Sequence, residues 1–354
     1  MLSKALLGSA AAAAAANEAI IIGASSSPYI VAYAWDSTTG FGSKYSDPGT
    51  LPTARVSYLK VNKENSKVIF ISGNTVRFYN WSNSSGFGSY SSPGSILTAV
   101  SDLDIAPNSS AIAVADGGSP YIHGYQWSNS TGLGTKSSNP STLPAGAGNG
   151  CAFSGDSSYV AVGHNISPFI SVYPWSASGF GTKVADPGTL PAGLGNLGMT
   201  DCVFTSTSDA LLMTAYASPK IHAYAWSGGF GTKYSNPSTI PTGSCYRLAM
   251  NNANTAVAVM TDNPPYVEVY AWSSGSGFGT KYSDPSTAAV FQEYSVQFSK
   301  DDTAIAICGI YNGGTTNPGV QAWAWSNSTG FGAAYSNPSS FPSGGSGDVL
   351  DFTN

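Results

Sequence analysis

Charged side chains are scarce in this 354-residue chain, because Lys, Arg, Asp and Glu together make up 9% of it, against about 25% in ordinary soluble domains. The net charge is −5, and the positive and negative residues are scattered along the sequence. Phosphate contacts need clustered Lys and Arg, so we expect no nucleic-acid partner. No apolar run approaches the ~20 residues of a transmembrane helix, so we also expect no membrane span.

Histidine and cysteine are also few. No two of the four cysteines lie close in sequence, so a zinc site built on paired cysteines is not expected. Cys151 and Cys202 occupy the same repeat position and are predicted to be small buried residues. The three histidines lack a His-x-x-x-His spacing, and no His-activated Ser or Cys nucleophile is evident. We therefore predict no metal, no cofactor and no enzyme activity.

What the chain does contain is a repeat built on tryptophan. Each of seven tryptophans ends a Tyr-x-Trp or Trp-x-Trp triplet and is followed by Gly-Phe-Gly or Gly-Leu-Gly. The gaps between them are 46, 46, 48, 51, 46 and 53 residues, and periods of about 40–50 residues are typical of propellers, solenoids and arrays. The repeated residues are Trp35, Trp81, Trp127, Trp175, Trp226, Trp272 and Trp325.

A single repeat, such as residues 151–187, predicts four short strands separated by polar turns. Its third strand places aromatic side chains on one face and aliphatic side chains on the other. Both faces therefore need to be covered, and a propeller blade packed between two neighbours meets that requirement.

The two ends of the chain share one repeat. Residues 349–354 resemble a first strand without a second, and residues 19–22 resemble a second strand without a first. Joining the ends restores between Leu350 and Ile21 the nine-residue spacing of the internal repeats. We therefore predict an all-β, seven-bladed β-propeller with four-stranded blades over residues 17–354, closed by a blade that the N- and C-termini share. A solenoid capped at both ends is the alternative.

Two resemblances accompany this repeat. Residues 151–163, followed by Ile-Ser-Val-Tyr-Pro-Trp, resemble the WD-repeat pattern, and the likeness covers the whole propeller. The family's Trp-Asp pair is kept only at Trp35-Asp36 and its Gly-His pair is missing, so the resemblance implies the fold without the buried His–Ser/Thr–Asp–Trp network. Residues 229–241 resemble repeat phrases in predicted proteins of tailed phages, which implies a virion-associated protein.

Two sets of repeat positions are candidate ligand contacts. The lysines after Gly-Phe-Gly form either a positive ring that meets an acidic glycan or partner, or solvated outer strands protected by charge. The variable position four residues before each Trp holds either polar groups that read a ligand between blades, or variation near a solvated strand end. The candidates are Lys44, Lys136, Lys183, Lys233 and Lys281 in the first set, and Arg77, His123, His222, Glu268 and Gln321 in the second.

Tyrosines and carboxylates complete the candidates. Tyrosines of the outer segment suit sugar binding, since aromatic faces cover sugar C–H groups, and packing between outer strands is the alternative. They are Tyr45, Tyr90, Tyr234, Tyr282 and Tyr335. Four aspartates are predicted at turns, where Asp favours local hydrogen bonds; these are Asp102, Asp104, Asp301 and Asp302.

Residues 1–16 stand outside the repeat and end in an alanine tract. Alanine has the highest helix propensity, but a short alanine helix is marginal alone in water. We therefore predict an assembly tether that binds a protein partner. A signal peptide cleaved after Ala16 is the alternative.

Together these features predict a non-enzymatic structural and interaction protein, displayed on a virion or other extracellular assembly, whose loops bind a host protein or glycan. A secreted or periplasmic carbohydrate-binding lectin is the first alternative, and a propeller hydrolase or lyase is the second. The sequence leaves the ligand, the host, the oligomeric state and the binding face open.

Overall fold

The computed structural model describes residues 18–94, 97–192, 194, 198–311, 319–342 and 345–353. The predicted tether or signal peptide, residues 1–16, lies outside the described residues. The described part forms 28 strands arranged as seven antiparallel sheets of four. The prediction of an all-β, seven-bladed propeller with four-stranded blades is therefore confirmed.

Each blade runs from an innermost strand through two middle strands to an outermost strand. Blade 1 has β1 Glu18–Ala24, β2 Ile30–Asp36 and β3 Gly40–Lys44 as its outer three strands. Blade 2 has β4 Val56–Val61, β5 Lys67–Ser72, β6 Thr75–Ser82 and β7 Gly86–Ser91. Blade 3 has β8 Val100–Ile105, β9 Ala111–Asp116, β10 Ile122–Ser128 and β11 Gly132–Lys136. Blade 4 has β12 Gly148–Phe153, β13 Tyr159–His164, β14 Ile170–Ser176 and β15 Gly179–Phe180.

The remaining blades follow the same order. Blade 5 has β16 Met199–Phe204, β17 Ala210–Ala215, β18 Ile221–Trp226 and β19 Phe230–Lys233. Blade 6 has β20 Cys245–Met250, β21 Ala256–Thr261, β22 Val267–Ser273 and β23 Gly277–Lys281. Blade 7 has β24 Phe291–Phe298, β25 Ala304–Tyr311, β26 Val320–Ser326 and β27 Gly330–Ala334. The last strand, β28 Gly347–Phe352, is the innermost strand of blade 1.

The ring is closed by strands from opposite ends of the chain. β28 pairs antiparallel with β1, and Leu350 lies opposite Ile22. The innermost strands contact one another in the cyclic order β28, β4, β8, β12, β16, β20, β24 and back to β28. This closed cycle confirms the shared blade and excludes the capped solenoid.

Blades pack face to face through the aliphatic and aromatic side chains of their middle strands. One cluster joins Ile20 and Val31 of blade 1 to Ala304 and Val320 of blade 7, and comparable clusters occur between the other neighbours. Burying apolar side chains on both faces of a blade stabilises the fold by roughly 25 cal/mol for each Å² of apolar area removed from water. The sequence of the third strand predicts that both faces of each blade are covered. Adjacent blades provide that cover.

At the perimeter of the described structure, tyrosines of the outer segment join four pairs of neighbouring blades, and we call these contacts the outer seam. In each, a tyrosine packs edge-on against the Trp of the next blade, with ring centroids 4.9–5.2 Å apart, and donates its hydroxyl to a backbone carbonyl there. The pairs are Tyr45–Trp81, Tyr234–Trp272, Tyr282–Trp325 and Tyr335–Trp35. These contacts favour the packing interpretation of the outer tyrosines.

The first glycine of Gly-Phe-Gly is needed by the same seam. Gly40 has a φ of +82°, and a Cβ placed there would lie 2.7 Å from the Cβ of Tyr335. Glycine alone adopts this backbone conformation without cost and lets the neighbouring ring approach. The repeated glycine and the repeated tyrosine therefore form one packing device.

Candidate functional site

The innermost strands enclose a central channel with three compartments. The upper chamber lies at the start of these strands, has a volume of about 530 Å³ and is lined by Arg55, Tyr58, Arg247, Tyr294 and Asp348 among others. The waist, of about 150 Å³, is lined in part by Lys60, Asp102, Asp104, Asp201 and Arg247. The lower chamber, of about 550 Å³, lies at the strand ends and includes Lys300 and Asp351. Charge that is scarce elsewhere is thus concentrated on the channel wall.

The placement of Asp102 and Asp104 at turns is wrong. Both lie on β8 and line the waist, while Leu103 between them is buried in the blade. Successive side chains of an innermost strand point alternately to the channel and into the blade. The polar residues that face the channel therefore look, in sequence, like the polar residues of a turn. Asp301 and Asp302 do lie in the turn between β24 and β25.

Arg247 is the centre of the charge cluster at the waist. Its Nη1 lies 3.9 Å from Oδ1 of Asp102 and 3.9 Å from Oδ1 of Asp201, and its guanidinium stacks over the ring of Tyr58 at 5.3 Å. Nζ of Lys60 lies 3.7 Å from Oδ1 of Asp104. Opposite charges are therefore interleaved around the waist, with two carboxylates sharing one guanidinium.

Asp201 is the most perturbed of these acids. Burial raises the pKa of Asp201 to about 7, against the lowering effect of Arg247 and with a further increase from Asp102. Burial also raises the pKa of Asp104. A carboxyl with a pKa near 7 exchanges its proton at neutral pH, as general acid–base catalysis requires.

The same carboxylates also join blades. Backbone N–H groups of the next innermost strand donate to them: Cys151 to Asp102 at 2.9 Å, Phe153 to Asp104 at 2.8 Å, Leu248 to Asp201 at 3.2 Å and Val61 to Asp351 at 2.9 Å. We call these bonds the inner seam. A carboxylate has about four lone-pair sites, so this structural role leaves it able to accept a further hydrogen bond.

The upper chamber is mostly lined by neutral hydrogen-bonding groups. Nε of Arg55 donates to Oδ2 of the buried Asp348 at 2.7 Å, and the guanidinium lies over the ring of Tyr294 at 5.0 Å. Oδ1 of Asn165 is buried and has no hydrogen-bond partner among the described residues. Because this oxygen is buried, it lies beneath the surface of the chamber and does not itself face a ligand.

The five predicted lysines lie in the outer segments of five different blades, namely blades 1, 3, 4, 5 and 6. Lys44, Lys183 and Lys281 each pair with the aspartate three residues later, and Lys233 Nζ lies 3.2 Å from Asn236 Oδ1. Lys136 ends β11. These placements fit charged outer edges, and a ligand role for the five lysines stays a prediction.

The predicted polar positions of the third strands are distributed one per blade. Four of them, His123, His222, Glu268 and Gln321, are buried, so the alternative of a solvated strand end is wrong for these four. They have local surroundings: His123 Nε2 lies 3.2 Å from Asp116 Oδ2, and Glu268 Oε1 accepts from the N–H of Thr242 at 2.7 Å. Arg77 donates to the hydroxyl of Tyr90.

Burial also determines the state of the histidines and cysteines. It lowers the pKa of His164 and His222 to about 4, so both are neutral at pH 7. Cys151 and Cys202 lie buried on β12 and β16, as predicted, and burial raises the pKa of both thiols. In the described ranges, no group of three or more His, Cys, Asp or Glu side chains is arranged to hold a metal ion.

Sequence reasoning missed most of the channel residues, although a signal was present. In a chain with 9% charged residues, charged side chains recur on the innermost strands β4, β8, β16, β20 and β28. They are Lys60, Asp102, Asp104, Asp201, Arg247, Asp348 and Asp351. Comparing charge among first strands, instead of among tryptophan-bearing third strands, would have found them.

No family model matches the chain, and no curated protein is similar to it in sequence. Among solved structures, it is similar to proteins from Bacteroides uniformis and Bacteroides fragilis, each described as a "putative 6-phosphogluconolactonase". Their TM-scores are 0.72 and 0.73 at 12% identity, over 95% of this chain and 99% and 98% of theirs. It is also similar to the Cps50 (Swd1) β-propeller domain of Myceliophteria thermophila, with a TM-score of 0.58 at 11% identity, over 83% of this chain and 90% of that one.

The prediction of a non-enzymatic protein displayed on a virion is wrong. The propellers that match nearly the whole of both chains bear an enzyme's description, and none of these comparisons shows the likeness to phage proteins. The prediction treated the lack of a His-activated nucleophile as evidence against catalysis, whereas a buried carboxylate can itself act as a general base. The likeness to a WD-type propeller holds at the level of fold.

The predicted protein partner is consistent with the fold. Propeller folds commonly mediate protein interactions. Among the residues described, no helix has the length and apolarity needed to cross a membrane. The partner predicted for residues 1–16 concerns a segment outside the described ranges.

Proposed function

We propose that this protein hydrolyses small cyclic esters of the sugar-lactone class where the upper chamber meets the waist, with Asp201 as general base and Arg247 beside the developing oxyanion. The observation that carries the proposal is the shared position of these two groups at the waist, where burial raises the pKa of Asp201 to about 7. The descriptions of the two Bacteroides propellers support the choice of a lactone as substrate.

The reaction needs one water and no covalent intermediate. Asp201 takes a proton from water while the water oxygen bonds to the carbonyl carbon, and the carbonyl electron pair moves onto its oxygen. Arg247 stabilises that oxyanion. The ring C–O bond then breaks, the carboxyl of Asp201 returns its proton to the leaving alkoxide, and the product is an open hydroxy acid.

The surroundings of Asp201 suit this role. A base works best when its pKa lies near the working pH, since it is then both ionised and able to take a proton. Burial provides that pKa, while Arg247 keeps the ionised form accessible. The backbone N–H of Leu248 holds the carboxylate in place.

The test is the initial rate of δ-gluconolactone hydrolysis by the full chain, measured above the buffer background. We expect kcat/KM to rise with pH through about 7, and Asp201→Asn to lose roughly 100-fold or more. Asp301→Asn, which changes a turn carboxylate outside the channel, is the matched control and should keep the wild-type rate. A wild-type rate equal to background, or an Asp201→Asn variant of full activity, overturns the proposal.

Two sequence-based predictions are carried forward with this function. Carbohydrate binding is retained in a narrower form, as binding of a hydroxylated ligand in the upper chamber rather than at the outer tyrosines. Localisation outside the cytoplasm, in secreted or periplasmic form, also remains a prediction. Fractionation of expressing cells tests it, and recovery of the chain solely in the cytoplasm would contradict it.

A further inference from the structure

Every lysine and arginine that lines the upper chamber and the waist has a carboxylate partner. Arg55 bonds to Asp348 at 2.7 Å. Arg247 lies 3.9 Å from both Asp102 and Asp201, and Lys60 lies 3.7 Å from Asp104. All lysines and arginines after residue 17 fall within the described ranges, and of these Arg55, Lys60 and Arg247 line this part of the channel.

Carboxylates outnumber cations in these two compartments. Three cations, Arg55, Arg247 and Lys60, face four carboxylates among the described side chains. A phosphate monoester is a dianion near neutral pH and is normally held by uncommitted cations or by clustered N–H donors. Each cation here already lies within 4 Å of a carboxylate, so its charge is balanced, and the remaining carboxylate charge would repel an entering phosphate.

The other polar groups of the upper chamber are neutral. Ser57, Ser101, Asn149 and Thr200 line it, and the last three of these side chains donate to backbone carbonyls. Their hydroxyl and amide oxygens keep lone pairs, so they can accept hydrogen bonds from the hydroxyl groups of a sugar. The lining therefore fits an uncharged, polyhydroxylated ligand.

We propose that the upper chamber selects an uncharged sugar lactone and discriminates against the same lactone carrying a phosphate. This inference rests on the proposed hydrolase function for its substrate class. It also accounts for product release, since ring opening creates a carboxylate in a compartment where acids already outnumber cations.

The first test compares δ-gluconolactone with its terminal phosphate monoester as substrates for the full chain. We expect kcat/KM to favour the uncharged lactone by about tenfold or more, since repulsion and lost pairing penalise the phosphate. Equal values, or a preference for the phosphate ester, would overturn the inference.

A variant sharpens the test by releasing one cation. Asp348→Asn removes the carboxylate partner of Arg55, so the preference should move toward the phosphate ester by about tenfold. Asp351→Asn is the matched control, because Asp351 lies on the same strand but pairs with Lys300 in the lower chamber at 3.2 Å. It should leave the ratio unchanged, and an equal shift in both variants contradicts the role of Arg55.

Calorimetric binding separates this inference from the hydrolase proposal. Gluconolactam and its terminal phosphate monoester bind without turning over, so their affinities do not depend on catalysis. Tighter binding of the uncharged lactam without lactone turnover supports the selectivity and rejects the hydrolase. Tighter binding of the phosphorylated lactam, or binding of neither lactam, rejects the selectivity, while the hydrolase proposal is decided by lactone turnover alone. Should Asp348→Asn fail to fold, the wild-type affinities still decide.

Discussion

The outer seam and the channel wall are built in opposite ways from the same repeat. At the outer seam the same pair recurs, as in Tyr45–Trp81 and Tyr234–Trp272. On the channel wall equivalent strands carry different charges, such as Lys60 on β4, Asp201 on β16 and Arg247 on β20. Closing a ring requires similar seams all round, whereas binding an asymmetric ligand requires walls that differ. Repetition therefore marks stability, and the loss of repetition marks the candidate site.

The largest expected effect comes from removing a repeated aromatic residue at the seam that closes the ring. Trp35 is 1% exposed and contacts Phe41, Tyr335 and Phe352. Trp35→Ala should destabilise the fold by about 3–5 kcal/mol, because it loses buried area and leaves a cavity. Denaturant unfolding measures this. Leu51→Ala, at a 39% exposed position, is the control, and equal losses in the two variants would contradict the contrast.

A smaller loss is expected from the seam glycine. Gly40→Ala forces a left-handed φ on a residue with a Cβ and brings that Cβ within 2.7 Å of Tyr335. We expect a loss of about 2–3 kcal/mol from strain and overpacking. Gly49→Ala, where a Cβ meets nothing within 4 Å, should be near neutral in the same thermal unfolding assay. If Gly40→Ala is also neutral, the seam is not tight.

The regular part of the molecule was predictable because its physical causes lie within one repeat. Two-residue alternation, turn residues and the spacing between Leu350 and Ile21 suffice for blades and ring closure. The contact between Gly40 and Tyr335 joins two blades. The sequence therefore shows that this glycine is repeated, but it does not show that the glycine makes room for a tyrosine ring of the neighbouring blade.

The candidate site was not predictable in the same way. Asp102 looks like a turn residue until β8 is placed at the channel, and the pKa of Asp201 depends on burial and on Arg247, some 46 positions away in sequence. The burial of Asp201 and its closeness to Arg247 arise only when the ring closes. The sequence of one strand with one aspartate therefore cannot predict either of them.

Asp201 is expected to make the channel wall less stable when it ionises. Its folded pKa of about 7 exceeds the unfolded value of about 3.9, so the folded state holds the proton more tightly. Its contribution is therefore most favourable below about pH 4 and is lost as pH rises through about 7. Arg247, Lys60 and Asp102 face this carboxyl and set the size of the effect.

Asp201→Asn should remove that pH dependence. Above pH 7 the variant should be more stable than the wild type by about 4 kcal/mol, while its lactone hydrolysis falls. Urea unfolding of both proteins at pH 5 and pH 8 gives the difference between their free energies of unfolding at each pH. The contributions of the other titrating groups are the same in both proteins and cancel in that difference. Parallel stability profiles would show that Asp201 ionises without penalty and would remove the physical basis for its role as base.

The smallest effect is expected where the outer rim meets solvent. Lys44 forms an ion pair with Asp47 in which both side chains are partly exposed, and exposed pairs of this kind contribute about 0.5 kcal/mol or less. Lys44→Gln should therefore leave both unfolding and lactone hydrolysis unchanged within error. Because the outermost strand keeps its other contacts, a clear loss of hydrolysis in this variant would place ligand contacts at the rim. It would revive the lysine ring as a site and break the division between a structural perimeter and a functional channel.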